Sequence, residues 1–172
     1  NKLAAQTLLG GLQVLPNNAT ISRQLAEFYL SFAHHYRNTK ELALALEAVE
    51  RSLSMAGESR DAFVLRGELE ENFAVDENIS TQERTRFWER ARRSFEAALK
   101  MKVTDTRARG GLARYYKYRG YAQLWEATRK VENESPEAQT QRERRLRRAG
   151  MEDFSKGLGF ADGGPEFTVI RK

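Results

Sequence analysis

The 172-residue chain reads as all-α, a short stack of about three helical hairpins with helical insertions in the second and third. Three observations predict this. A small-residue signature returns at fixed spacing, Ala45-x3-Val49-x2-Ser52-Leu53 and then Ala91-x3-Phe95-x2-Ala98-Leu99. Each copy is followed 15 residues later by another small residue, Gly67 after Ser52 and Ala113 after Ala98. Only 3 prolines and 12 glycines interrupt a chain dominated by helix formers, which argues against a sheet with frequent turns. A fixed period of this kind marks stacked units, because one hairpin cannot bury its apolar face alone. The whole of residues 1–160 is therefore expected to form one repeat domain.

Taken in order, residues 1–16 form half a unit, with Ala4, Leu8, Gly11 and Leu12 on one helix before Pro16. The first hairpin spans 19–57. Tyr29, Phe32, Ala33 and Tyr36 recur at helical spacing, and Ala45, Val49, Ser52 and Leu53 do so on the next helix. Asn38 and Glu41 predict a capping box between them, and Gly57 with Ser59 predicts the following turn. The second hairpin, 59–103, carries an insertion of 12 residues: a polar loop from Val75 to Ile79, then Ser80 and Glu83 as a capping box opening a helix about three turns longer than its counterpart. The third, 104–158, has Leu112, Ala113, Tyr116 and Gly120 on its first helix and Gly150, Phe154, Gly157 and Leu158 on its second. Its insertion of 25 residues holds an amphipathic stretch, Leu124, Ala127 and Val131, then Ser135 as N-cap, Pro136 at the first helical position and an arginine-rich continuation. Packing of the two insertions, Phe87 or Trp88 against Leu124 or Trp125, would bury their aromatics. Residues 161–172 read as an irregular tail.

No cysteine is present, which removes disulfides, thiolate nucleophiles and sulfur metal sites. The uncharged run from Leu3 to Ser22 is broken by glutamines, asparagines and Pro16, well short of a membrane span, so no membrane insertion is expected in this segment. A start at Asn1 reads as a piece cut from a longer protein. The compartment stays open, with the cytoplasm favoured and a place in a membrane-associated assembly compatible. A net charge of +5 favours acidic partners, whether nucleic acid, anionic lipid or protein.

The residues Leu112-Ala113-x2-Tyr116 on a first helix and Ala91-x3-Phe95-x2-Ala98 on a second are similar to the tetratricopeptide repeat, as is the 34-residue step from Tyr29 and Ala33 to Phe63 and Gly67. The resemblance covers most of residues 1–158. It implies a right-handed superhelical stack acting as a protein-interaction scaffold within a larger protein, with a concave face lined by first helices. Carried over residue by residue, that face presents Glu27, Leu30, His34, Arg37 and Asn38, then Asp61, Val64, Glu68, Glu71 and Asn72, then Arg107, Gly110, Arg114, Lys117 and Tyr118. The partner site is expected at Arg107, Arg114, Lys117 and Tyr118, with His34 and Arg37. Only Arg107 fits the family's carboxylate-holding pattern, which disfavours a chaperone-tail adaptor.

His34 and His35 are the only histidines, and neither has a further ligand at i+3 or i+4, so no metal, cofactor or catalytic role is expected. The glycines from Gly157 to Gly164 neither follow a strand nor open a helix, which argues against phosphate binding. A basic patch, Arg142, Arg144, Arg145, Arg147 and Arg148, supports a rival reading as an RNA- or DNA-binding module, against a solvated helix whose arginines pair with Glu137, Glu143 and Glu152. No aromatic interleaves with these arginines for stacking. A second rival is self-association, a neighbouring copy covering the apolar face of the half unit and forming a homo-oligomer.

Overall fold

In the computed structural model, residues 2–15, 18–132 and 134–161 are described, with side chains from residue 6 onward. Pro16 and most of the expected tail fall outside them. The described residues form seven helices: α1 (Lys2–Val14), α2 (Ala19–Asn38), α3 (Leu42–Ala56), α4 (Arg60–Ala74), α5 (Thr81–Met101), α6 (Thr106–Thr128) and α7 (Pro136–Phe160). The chain divides into two compact units, Asn1–Ala108 and Arg109–Lys172, where the sequence pattern suggested one domain. The division falls one turn into α6, immediately before the Gly110–Gly111 pair.

In the first unit α2 packs on α3 and α4 on α5 as hairpins, α3 joins the two, and α1 leans on α2. The core is the small-residue signature itself. Ala33, Ala45, Val49, Ala62, Leu65 and Leu69 are fully buried in one cluster, with Leu30, Phe32 and Tyr36 packed against it. Burying each leucine contributes about 1.5 to 3 kcal/mol, and the alanines let helices approach closely enough for that contact. Ser52 keeps its place in this core because its hydroxyl donates to the Ala26 carbonyl at 2.7 Å.

The turns follow local chemistry, with one correction. Ser59, Ser80 and Ser135 each cap a following helix, and the Ser80–Glu83 capping box is reciprocal, Glu83 N donating to the serine and Ser80 N to the glutamate. Pro136 opens α7. The Asn38–Glu41 box does not form: α2 runs through Asn38, and Glu41 caps α3 with no side-chain bond. The turn instead closes as a Schellman motif, in which Glu41 N reaches Tyr36 O at 2.9 Å and Lys40 N reaches Arg37 O at 3.1 Å. This places Lys40, not a glycine, at φ 63°.

The insertions also differ from expectation in detail. α5 starts ten residues before Ala91 whereas α3 starts three before Ala45, an extension of seven residues, or about two turns instead of three. α6 ends at Thr128, leaving Val131 outside it. Phe87 is covered within its own hairpin by stacking on Phe73 at 5.2 Å, while Trp125 remains 67 % exposed.

Candidate functional site

The repeat register decides which side chains each first helix shows. In the second hairpin Gly67 lies under Phe95, so close that a Cβ at this position would sit 2.6 Å from the ring. In the third hairpin the residue under Phe154 is Gly120, at 2.7 Å, and not Ala113, which the fixed spacing had put there. The register of α6 is thus displaced by seven residues, two helical turns, and a two-turn slip leaves the apolar face nearly unchanged. Such a slip is invisible to periodicity alone.

This displacement re-selects the exposed stripe of α6. Gly120 holds the place of Gly67, so the residues matching Asp61, Val64, Glu68, Glu71 and Asn72 are Arg114, Lys117, Tyr121, Leu124 and Trp125. Arg114 and Lys117 stay in the set; Tyr121 and Trp125 enter it. Tyr118, half-buried, lies on the flank of the same stripe, about 20° beyond Trp125 on a regular helix. Tyr121 is 53 % exposed and packs one ring edge on Phe154 at 5.1 Å, which fixes its orientation from below. Two cations and two exposed aromatic rings therefore share one stripe of one helix. The signal that could have found them is the pair Gly120 and Phe154, read as the counterpart of Gly67 and Phe95.

In the first unit the structure gathers His34, Arg37 and Arg107, but around an acid of the protein's own. Glu68 accepts a bidentate pair from Arg107, at 2.8 and 2.6 Å, and a third bond from Arg37 at 2.8 Å. Charge-assisted bidentate geometry makes this stronger than an ordinary surface pair, and it occupies the two arginines expected to receive a partner. His34 beside them is held below the ordinary histidine range, first by burial and then by the Arg37 and Arg107 charges, against the pull of Glu68 and Asp61. Val64, assigned to the open face by the resemblance, is buried.

The polar positions of the second hairpin are also instructive. Arg66 Nε donates to Ser94 Oγ at 2.9 Å, Ser94 donates to Glu70 at 2.9 Å, and Arg90 bridges Glu70 to Glu50 of α3, both at 2.9 Å. This network closes the outer side of the second hairpin. In the first hairpin the matching positions are Phe32, Tyr36 and Ala48, and they line an open groove of about 310 Å³ with Leu9, Phe28 and Leu44. Phe28, Phe32 and Tyr36 form a ladder there, with ring centroids 4.6 and 6.1 Å apart.

Of the five basic-patch arginines, Arg142 is excluded from the surface cluster. Its side chain is 14 % exposed, and its guanidinium pairs with Glu134 at 3.0 Å and donates to the Glu126 and Arg129 carbonyls at 2.8 and 2.7 Å, closing the end of α6. Arg144, Arg145, Arg147 and Arg148 are exposed, and of these Arg148 pairs with Glu152 at 3.2 Å. Among the described residues no group of three His, Cys, Asp or Glu is arranged to hold a metal, and no helix is long and apolar enough to cross a membrane. No protein-family model, curated protein or solved structure compared with the chain matches it.

Proposed function

We propose that this chain is a non-enzymatic interaction scaffold of tetratricopeptide-like hairpins that docks a protein partner, a segment or a domain, on its first-helix face. The observation that carries the reading is the α6 stripe of Arg114, Lys117, Tyr121 and Trp125, with Tyr118 beside it. Arginine, tyrosine and tryptophan are the residues enriched at binding hot spots, since they offer large area for little conformational entropy. The Tyr121 ring is pre-positioned by its packing on Phe154, which lowers the entropy lost on binding. The His34, Arg37 and Arg107 region is the secondary surface, because a partner acid there must first displace Glu68.

The test is affinity purification of the full-length protein from its native cells, followed by measurement of the recovered complex with Tyr121→Ala/Trp125→Ala and Arg114→Glu variants. Affinity should fall at least tenfold, about 1.4 kcal/mol, with helicity and Tm close to wild type. Unchanged affinity in both variants would remove the stripe from the interface. Concentration-dependent sedimentation of the purified chain, abolished by Leu44→Glu at the aromatic groove, would instead favour the self-association reading.

A further inference from the structure

The exposed arginines of α7 lie on a separate surface and carry a second, independent inference. At 100° per residue, Arg147, Arg144, Arg148 and Arg145 follow one another around about 160° of the helix, in steps of about 40 to 60°. Along the axis they occupy only about 6 Å, the rise from residue 144 to 148. Arg144, Arg145 and Arg147 make no hydrogen bond or ion pair with other described residues. The band therefore wraps around the helix and does not run along it. Two exposed carboxylates bound it along the axis, Glu137 two turns before Arg144 and Glu152 one turn after Arg148, while half-buried Glu143, about 40° beyond Arg147 around the helix, accepts from Gln139 at 3.0 Å and ends the arc on that side.

These dimensions select among anions. A flat anionic membrane meets only part of a 160° arc. A duplex laid across α7 is too broad, since its major groove alone is about 12 Å wide and its phosphates would reach Glu152. Single-stranded nucleic acid finds no aromatic ring in the band, nor among Thr140, Gln141, Met151 and Ser155, exposed before and after it on the same face. An extended peptide is about 4.8 Å across, judged by the spacing of neighbouring strands, and fits between the flanking glutamates. Its alternate side chains lie about 6.7 Å apart on one face, while the arginine stems leave a helix about 6 Å in radius at arc intervals of about 4 to 6 Å and diverge outward.

We propose that α7 binds an extended acidic segment of a partner protein, with carboxylates at alternating positions, crossing the helix over Arg147, Arg144, Arg148 and Arg145. Each carboxylate meets one guanidinium, and the Glu152 contact of Arg148 opens to receive the partner acid.

The decisive measurement is fluorescence anisotropy of the whole chain with two labelled peptides of equal composition, one alternating Glu and Ser, the other with its glutamates in one block. At ~0.05 M salt, where exposed charges are less screened, the alternating peptide should bind at least fivefold more tightly. Arg144→Glu/Arg148→Glu should lower that affinity more than tenfold, and the milder R144Q/R148Q should do so by severalfold, with unchanged circular dichroism. Arg23→Glu/Arg93→Glu, which removes the same charge from exposed arginines elsewhere, should leave it within twofold. Tyr121→Ala/Trp125→Ala should also leave it unchanged, so failure here and failure of the α6 reading are separable. Equal affinity for the two peptides, or equal loss in the Arg23 and Arg93 control, would reduce the band to unspecific attraction. Tighter binding of a duplex oligonucleotide or of phosphatidylserine vesicles than of the alternating peptide would overturn the choice of partner.

Discussion

The second hairpin, α4 and α5, and the third, α6 and α7, use one template with its charges exchanged between helices. Arg66 stands one residue before Gly67 as Arg119 stands one before Gly120, and Ser94 precedes Phe95 as Asp153 precedes Phe154. In the second hairpin the buried acid is on the first helix, Glu70, reached from Arg66 through Ser94. In the third it is on the second helix, Asp153, which lies 3.3 Å from Arg119 and accepts from Gln123 at 3.0 Å; Gln123 holds the place of Glu70. The buried acid needs a cation within reach, and either helix can carry that acid. The connections match too. Arg84 donates to the Ala74 and Asp76 carbonyls at the end of α4, as Arg142 does to those ending α6. Each insertion is thus a longer helix pair clamped at its open end by an arginine, and the uninserted first hairpin uses a Schellman turn in its place.

Removing the ring from either template should have the largest effect. Phe95→Ala and Phe154→Ala should each destabilise by about 3 to 5 kcal/mol in urea unfolding, since each ring packs directly on a glycine. A cost below about 1 kcal/mol for Phe154→Ala would dissolve the equivalence of the two hairpins.

The exchange of charge can be transplanted. Ser94→Asp alone sets a second carboxylate against Glu70 in a fully buried place and should cost about 3 kcal/mol, whereas Ser94→Asp with Glu70→Gln copies the third hairpin and should recover at least half of that. No recovery would mean that the two networks are unrelated. pH sharpens this test. Burial pushes the Glu70 carboxyl up, with Ser94, Arg90 and Arg66 pulling the other way. A raised folded-state value favours the protonated acid, so its contribution is complete below the ordinary glutamate range and is lost as pH rises through the folded value. The stability of the wild type relative to Glu70→Gln should accordingly fall as pH increases above about 4.5.

Arginine truncation separates clamps from surface. Arg84→Ala and Arg142→Ala should each cost about 2 kcal/mol by leaving helix-end carbonyls unpaired, while Arg144→Ala should stay within about 0.5 kcal/mol. The smallest effect concerns the turn that stands in for a clamp. Lys40→Gly relieves a left-handed lysine and should stabilise by about 0.5 kcal/mol, visible as a rise in Tm.

The sequence by itself determined the all-α class, the helix order and most helix starts, because these depend on local chemistry. Ser59, Ser80 and Ser135 satisfy nearby amides, Gly57 takes a positive φ, and small residues at helical spacing form the buried faces. Tertiary structure alone decided the rest, because it depends on which of several permitted registers packs best. Ala113 and Gly120 lie seven residues apart on nearly the same face, and only the fit of Phe154 over Gly120 chose between them. That choice brought Tyr121 and Trp125 into the candidate site. Glu68 reached Arg107 and Arg37 across 39 and 31 residues, and Arg142 turned from the expected patch to the end of α6. Charge pairing over such distances leaves no mark in spacing, since a long side chain finds its partner only after the helices have been placed.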